Sequence, residues 1–429
     1  MEVTPTKKTF GHYMFFWSGQ LFSLFGSMVV FFVLTFWIAE VYNNPVISST
    51  ASFLYILMMT ICMPFAGVIA DRINRKRLII IADSSEAFVT FLLILIFQFG
   101  LANFWIVYIF ISLRSICQAF HVPTVNAIIP TMVPKDNLSR INGINFLFTG
   151  VVQFFAPFVA AIFLVIFSSS IYLIFWVDVI TFFIALVPLL LITIPSVQEM
   201  STEKEKSKGS FIKQFKIGFR TIKFIPGLVI LIILSMLLNF LIRPIDSLLA
   251  LFIIDVHGGK EVAIAIVQMF FTGGMIAGAL FTSIKKNWNN KIRVIFISLI
   301  LALLGYMMFG LAPPGYFLII GIGGVILGFN LPIVNSLYQT FIQTTVPADK
   351  LGRITSIDNT LSSAISPVGS IIAGPLALIL GIPALFFYCG LIGAICTIGF
   401  WSFTGIRKVD MDSQEALEEI SGNINNISV

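Results

Sequence analysis

Gly67-Val-Ile-Ala-Asp71-Arg72-Ile-Asn-Arg75-Lys76-Arg77 lies between two apolar runs, each long enough to cross a bilayer. Four cations within six positions, with an acid beside them, cannot rest in hydrocarbon, where each charge costs about 3 kcal/mol on insertion scales. The stretch therefore reads as a loop that faces water on one side of a membrane.

The composition agrees with that reading. Of 429 residues 58% are apolar, 45 are Phe and only 11% are charged, against about 25% charge in an ordinary soluble domain. Cys62, Cys117, Cys389 and Cys396 all sit inside apolar runs without metal-ligand spacing, so they read as small core residues. No disulfide, metal or cofactor is expected. The apolar run from Tyr13 to Ala39 exceeds the core of a signal peptide and lacks an evident cleavage site, and it reads as a first span that is retained.

Apolar stretches of about 20 residues occur near 13–40, 47–70, 78–98, 103–128, 141–167 and 171–194, and again near 227–254, 262–284, 292–312, 315–344, 351–379 and 382–404. The expectation is an all-α integral membrane protein with twelve spans in two six-helix halves. The halves are 1–195 and 226–408, with a cytoplasmic linker at 196–225 and a cytoplasmic tail at 409–429. Of the 26 basic residues, all but Arg114, Arg243 and Lys260 fall at the termini or in the even-numbered connections. Cytoplasmic loops collect Lys and Arg, so both termini are expected to be cytoplasmic. The net charge of +6 is then mostly a topology signal and requires no nucleic-acid partner. In the linker Phe211, Phe215, Phe219 and Ile222 recur at helical spacing with Lys213, Lys216, Arg220 and Lys223 on other faces, which predicts a basic amphipathic helix on the inner leaflet.

Val133-Pro-Lys-Asp136-Asn-Leu138-Ser-Arg140-Ile-Asn-Gly-Ile-Asn145 reappears as Val346-Pro-Ala-Asp349-Lys-Leu351-Gly-Arg353-Ile-Thr-Ser-Ile-Asp358, and Phe120-His-Val-Pro123-Thr-Val-Asn126 as Phe329-Asn-Leu-Pro332-Ile-Val-Asn335. Two matches in the same order argue for duplicated halves, an arrangement that marks transporters. Locally, the Pro stops one helix and the Asp caps the next. Arg140 and Arg353 oppose the helix dipole there, so each either finds an acid such as Asp71, Asp136 or Asp349 or faces water.

These residues support a resemblance. The order Gly67-x-x-x-Asp71-Arg72-x-x-Arg75-Lys76 resembles the loop between helices 2 and 3 of the major facilitator superfamily. Trp17-Ser-Gly-Gln20, Arg114-Ser-Ile-Cys-Gln-Ala-Phe120-His121-x-Pro123, Asn126-Ala-Ile-Ile-Pro130, Leu138-x-Arg140-x-Asn142-Gly143 and Ile-Asp178-Val resemble its macrolide-efflux type, a drug:proton antiporter subfamily. The match is best over the first 200 residues. Three places depart from the pattern: Asn74 stands where Gly is usual, Gly150-Val-Val-Gln153-Phe-Phe-Ala156-Pro157 has lost most glycines of the antiporter signature, and Gly278-Ala-Leu-Phe-Thr-Ser-Ile-Lys285-Lys286 lacks the acid of the first-half loop. Asn tolerates the left-handed backbone that Gly would supply at position 74.

The resemblance implies a gate built from Gly67, Asp71, Arg72, Arg75, Arg77, Asp136, Arg140, Asp349 and Arg353. In it Asp71 approaches the first turn of span 11 near Arg353 while Arg75 or Arg77 meets Asp136. It also places span 4 beside a central cavity.

Ionisable groups inside spans are candidates for function by default. Arg114 is about 16 Å into span 4 at 1.5 Å per residue, with Gln118 and His121 on the same face. His121 is equally a hydrogen-bonded packing residue, and that is the preferred reading. Glu86 lies at a comparable depth in span 3 and could pair with Arg114, with Asp83 one turn away; Asp178 is about 10 Å into span 6. The resemblance makes spans 3 and 6 outer supports, which leaves Asp83 and Asp178 between structural and coupling roles. Arg243 and Asp246 flank Pro244 in span 7 and could neutralise each other. Asp358 is about 10 Å into span 11, where its repeat counterpart is the uncharged Asn145. A proton carrier needs a carboxylate whose proton affinity rises on burial and falls when water or a cation reaches it. Asp358 is the first choice for that role and Glu86 the second, with Arg114 tuning whichever acid approaches it. The alternative for Asp358 is a packing role, bonded to neighbours such as Thr355.

Gln20, Asn239, Asn330, Asn335 and Gln339 add hydrogen-bonding points to a cavity otherwise rich in Phe and Met, which suits bulky amphipathic compounds. No nucleophile-base pair, phosphate loop or metal cluster is visible, so an enzyme is not expected. The expected activity is proton-coupled export of lipophilic or amphipathic drugs, macrolides among them, by a monomer in the plasma membrane. Its partners are a small-molecule substrate, protons and membrane lipid. The alternatives are an exporter of an endogenous product such as a siderophore or lipid, or an importer.

Overall fold

The computed structural model describes residues 7–134, 137–194, 222, 225, 227–285, 288–346 and 348–408. Within them it describes the side chains of all but 7, 8, 67, 68, 70–72, 130, 138–140, 142, 348–350, 352, 353 and 408. The structure is all-helical among these residues, with twelve helical stretches long and apolar enough to cross a membrane. The first six are α1 (Lys7–Tyr42), α2 (Pro45–Arg72), α3 (Arg75–Gln98), α4 (Phe104–Met132), α5 (Leu138–Ile166) and α6 (Tyr172–Leu191). Then come α7 (Leu228–Leu251), α8 (Glu261–Ile284), α9 (Lys291–Leu311) and α10 (Phe317–Thr345). The last span is α13 (Ile382–Phe403), and the one before it is made of two pieces, α11 (Ala348–Ala364) and α12 (Ser366–Leu380).

Asparagines make the tight corners. Asn44 Oδ1 accepts from the Val46 and Ile47 N–H groups at 2.8 and 3.3 Å, and Pro45 supplies the preset first turn of α2. Asn103 and Asn290 cap α4 and α9 in the same way. The Gly67–Arg77 stretch is a correction to the loop reading: α2 continues through Arg72, α3 begins at Arg75, and only Ile73 and Asn74 stand outside a helix. The charged residues thus sit on helix ends rather than in a loop. Asn74 has φ −57°, so it is not left-handed; it serves because its side chain caps α3 by accepting from the Arg77 N–H at 3.3 Å.

The repeated Val-Pro corners share one conformation. Val133 (φ −104°, ψ 126°) ends α4 and Val346 (φ −101°, ψ 127°) ends α10, each pushed into the extended region by the following proline. The Asp caps read from this motif fare differently. The residue flanking α5 is Asn137, with no side-chain cap bond, while Asp349 lies inside α11.

The chain divides into two compact units, Met1–Lys206 with Gly259–Met269 and Ser207–Gly258 with Phe270–Val429. In the first, α1 packs on α5 and α6, α2 on α4, and α3 on both α4 and α6. In the second, α7 packs on α11, α12 and α13, and α9 on both α10 and α13, which repeats the α1–α5, α1–α6, α3–α4 and α3–α6 neighbours of the first unit. Tyr13, Phe16, Ile79, Ile128 and Leu189 anchor one core; Leu231, Phe296, Phe341 and Ile354 anchor the other. Large apolar side chains such as Phe88, Phe183, Leu378 and Ile395 are exposed along the spans, as a lipid-facing surface requires.

The eleventh span, read as one run over 351–379, is interrupted at Ile365, because Pro367 supplies no N–H and its ring opposes the carbonyl four residues back. In α7, Pro244 likewise gives the Phe240 carbonyl no helix partner, and Gly369 packs so closely there that a Cβ would meet that oxygen at 2.6 Å.

Candidate functional site

In the first unit four helices converge on one buried polar network. Arg114 on α4 sits at its centre: Nη1 donates to Asp178 Oδ2 on α6 at 2.6 Å, and Nη2 donates to Glu86 Oε1 on α3 at 2.9 Å. The planar guanidinium fork reaches two carboxylates at once, which a lysine cannot do. Thr90, one turn after Glu86, also bonds Asp178 Oδ2 at 2.6 Å and contacts Arg114. Gln118 Nε2 donates to Glu86 Oε2 at 2.6 Å. Toward the other end His121 Nε2 lies 2.7 Å from Gln20 Oε1 and 3.3 Å from Asp83 Oδ1, and Gln20 Nε2 is 3.5 Å from Asp83 Oδ2. His121 Nδ1 is buried with no partner. Asp83, Glu86, Arg114 and Asp178 are each no more than 6% exposed.

Gly26 sets the depth of the fourth helix. A Cβ at Gly26 would overlap Thr181 Oγ1 and approach the Asp178 Cα to 2.8 Å, so only glycine lets α1 lie this close to α6. The next residue, Ser27, then reaches Glu86 Oε1 at 3.0 Å and Asp178 Oδ1 at 3.1 Å.

The charges do not balance. Arg114 is the permanent cation bonded to Glu86 and Asp178, while the third carboxylate, Asp83, pairs with His121 and Gln20. Burying an unpaired charge is expensive, so a network of this composition favours taking up a positive charge.

The remaining candidates lie apart from it. In the second unit Tyr338 donates to Asp358 Oδ1 at 2.5 Å and Ser362 to the same oxygen at 3.4 Å. Its repeat counterpart Asn145 is also tied to a tyrosine, donating to Tyr13 Oη at 2.6 Å. Arg243 and Asp246 form a 3.0 Å ion pair within α7. Asn239 and Asn330 donate back to Ser235 and Ile326 of their own helices, while Asn335 is exposed and Gln339 half-buried. Of the gate residues, Arg75 donates to the Ala127 carbonyl at 2.7 Å and Arg77 is exposed. Lys76, a neighbour in the same stretch, donates to the Leu190 and Ile192 carbonyls at the end of α6. Asp136, the linker helix at 211–223 apart from Ile222, and the tail from 409 lie outside the described residues, as do the side chains of Asp71, Arg72, Arg140, Asp349 and Arg353, while Gly67 falls within α2. Among the described residues no group of three or more His, Cys, Asp or Glu side chains is placed to hold a metal.

Ser27, Thr90 and Tyr338 were not among the residues singled out from sequence. A hydroxyl four residues after an embedded acid, as Thr90 is to Glu86, is a signal that local reading can use; Ser27 and Tyr338 come from other helices and carry none.

Several known proteins resemble this one. Macrolide efflux protein A of Streptococcus pyogenes is 27% identical over 395 residues, covering 92% of this chain and 96% of its own. The staphyloferrin A transporter of Staphylococcus aureus (strain NCTC 8325 / PS 47) is 23% identical over 412 residues, covering 95% and 99%. The crystal structure of a POT family transporter in complex with 5-aminolevulinic acid superposes with a TM-score of 0.70 at 13% identity, over 95% of this chain and 99% of that one. Residues 16–370 match the family model of the Major Facilitator Superfamily. With twelve spans, a doubled six-helix plan and a match over most of its length, this multi-pass membrane transporter belongs to the major facilitator superfamily.

Proposed function

We propose that the chain exports lipophilic or amphipathic compounds, macrolides among them, in exchange for protons. The observation that carries this reading is the excess of buried carboxylates over cations around Arg114. Such a group holds a proton while water is excluded and releases it when one side opens, which is the behaviour that coupling requires. Glu86 is the preferred carrier over Asp358. Asp358 makes a short bond to a tyrosine hydroxyl, a kind of tie that the neutral Asn145 makes in the other half, and this supports a packing role. The similarity to macrolide efflux protein A supports the substrate class.

The cell membrane is the proposed location, with both termini cytoplasmic, a small molecule and protons as the transported species, lipid as the surroundings and a monomer as the working unit. A second reading, export of a siderophore, is favoured by the similarity to the staphyloferrin A transporter over nearly all of that protein's length.

Two measurements test the proposal together. A susceptibility panel on cells with and without the protein should show resistance to macrolides, whereas resistance to none of the lipophilic drugs tested favours the siderophore reading. In proteoliposomes an imposed proton gradient should drive macrolide accumulation that Glu86→Gln abolishes and Asp358→Asn retains. Unimpaired accumulation in the Glu86→Gln protein overturns the assignment of the carrier.

A further inference from the structure

Ser27 occupies an unusual position in the network. Its hydroxyl oxygen lies 3.0 Å from Glu86 Oε1 and 3.1 Å from Asp178 Oδ1, and a hydroxyl has one hydrogen to give. Two ionised carboxylates facing it cannot both be served by that one hydrogen, and one would press an unshared oxygen against another. The conflict disappears if one acid carries a proton and donates to Ser27 Oγ while the Ser27 hydrogen goes to the other. The partners on either side indicate which acid that is. Asp178 accepts from Arg114 at 2.6 Å and from Thr90 at 2.6 Å, while Glu86 receives its arginine bond at the longer 2.9 Å and its 2.6 Å bond from the neutral Gln118 amide. The anion belongs at Asp178 and the proton at Glu86.

We infer that Ser27 is a proton bridge: in this state its hydroxyl joins protonated Glu86 to ionised Asp178, and it passes the proton between them. In the transfer the Glu86 O–H bond breaks as its proton moves to Ser27 Oγ, and the Ser27 proton moves to Asp178 Oδ1. The negative charge shifts from Asp178 to Glu86, Ser27 ends neutral, and no other reactant is needed. Arg114 spans both acids and compensates the charge wherever it sits. The other titratable groups around Glu86 are Asp83 on its own helix, Tyr55 on α2 and Cys117 on α4, with His121 paired to Asp83. Ser27 is half-buried while both acids are buried, so it is also the most exposed member of the chain.

This inference rests on the proton-coupled reading for its purpose but not for its geometry, and its test separates the two. Infrared spectra of the purified full-length protein should contain a protonated-carboxyl C=O band that Glu86→Gln removes and that Ser27→Ala moves to the position of a less hydrogen-bonded acid. In proteoliposomes Ser27→Ala should lower proton-driven transport about a hundredfold, with a changed solvent deuterium isotope effect. Ser27→Thr, which keeps the hydroxyl and has room at a half-buried position, should restore both. Thermal melting of each variant checks that the fold is intact. A Glu86 band that Ser27→Ala leaves in place, or no protonated-carboxyl band at all, overturns the bridge. A band that responds to Ser27→Ala in a protein that moves no protons keeps the bridge and removes the coupling reading instead.

Discussion

Arg114 places one guanidinium nitrogen on each of two acidic side chains on other helices, so its removal strands the negative charge that the pair holds. Breaking a buried pair from one side costs about 3–5 kcal/mol, because the partner stays behind uncompensated. Arg114→Leu should lower the melting temperature of the solubilised protein accordingly. If the anion resides at Asp178, adding Asp178→Asn should recover more of that loss than adding Glu86→Gln, a comparison that a double-mutant cycle reads directly. Equal recovery by the two would show that neither acid holds the charge preferentially. Part of this site was legible from sequence: an arginine deep in one span and Glu86 at a comparable depth in another pointed to their pairing, whereas nothing in the sequence joined Asp178 to them. What could not be read was the hydroxyl between the acids, since Ser27 lies on a helix whose approach is fixed by a glycine and by side chains 150 residues away.

Elements meet in this protein through close backbone approach as much as through side-chain packing. Gly26 is the clearest case. Gly26→Ala sets a methyl against Thr181 and the Asp178 backbone, and overpacking of that kind costs about 1–3 kcal/mol. Melting should show the loss, whereas Gly399→Ala, with open space around it, should leave the curve unchanged. In the second unit, the corner after α7 is held by His257. Its Nδ1 accepts from the Gly315 N–H at 3.2 Å, and its ring stands edge-on to Phe252 with centroids 4.5 Å apart. Burial lowers its pKa below the ordinary 6.5, with the Pro313 carbonyl pulling weakly the other way. The folded state therefore prefers the neutral ring. Its contribution is complete above pH 6.5 and fades as the pH falls through that value, since the unfolded chain then binds the extra proton. Melting temperature measured from pH 8 down to 5 should decline less in His257→Gln than in the unchanged chain. The spans themselves were legible because twenty apolar residues in a row leave little choice of structure. The break at Ile365 and the two-residue turn at Ile73–Asn74 were not, because hydropathy does not register where backbone hydrogen bonds stop.

At the scale of the whole molecule the two units repeat much of one neighbour pattern and the same Val-Pro corner, yet they differ in charge. The first unit encloses the buried ionic network; the second carries Asp358 among hydroxyls and the half-exposed Arg243–Asp246 pair. The distribution of basic residues fixes the expected orientation of both. In a single-cysteine series on intact cells, Lys260→Cys should react with an impermeant maleimide, and Lys291→Cys should react only after the membrane is opened. The reverse pattern would invert the topology.

The ionic network also carries a consequence for how the chain is made. Asp83 and Glu86 leave the ribosome on α3 before Arg114 and His121 exist, and Asp178 follows a further 57 residues after His121. Alone in the bilayer, the two acids would cost α3 about 3 kcal/mol each, and the arginine would burden α4 similarly. Each helix becomes acceptable in lipid through the other. The translocon is therefore expected to release α3 and α4 as a hairpin: a cysteine placed at position 101, just beyond α3, should stay out of reach of an impermeant maleimide in chains halted there and should react in chains extended to residue 134.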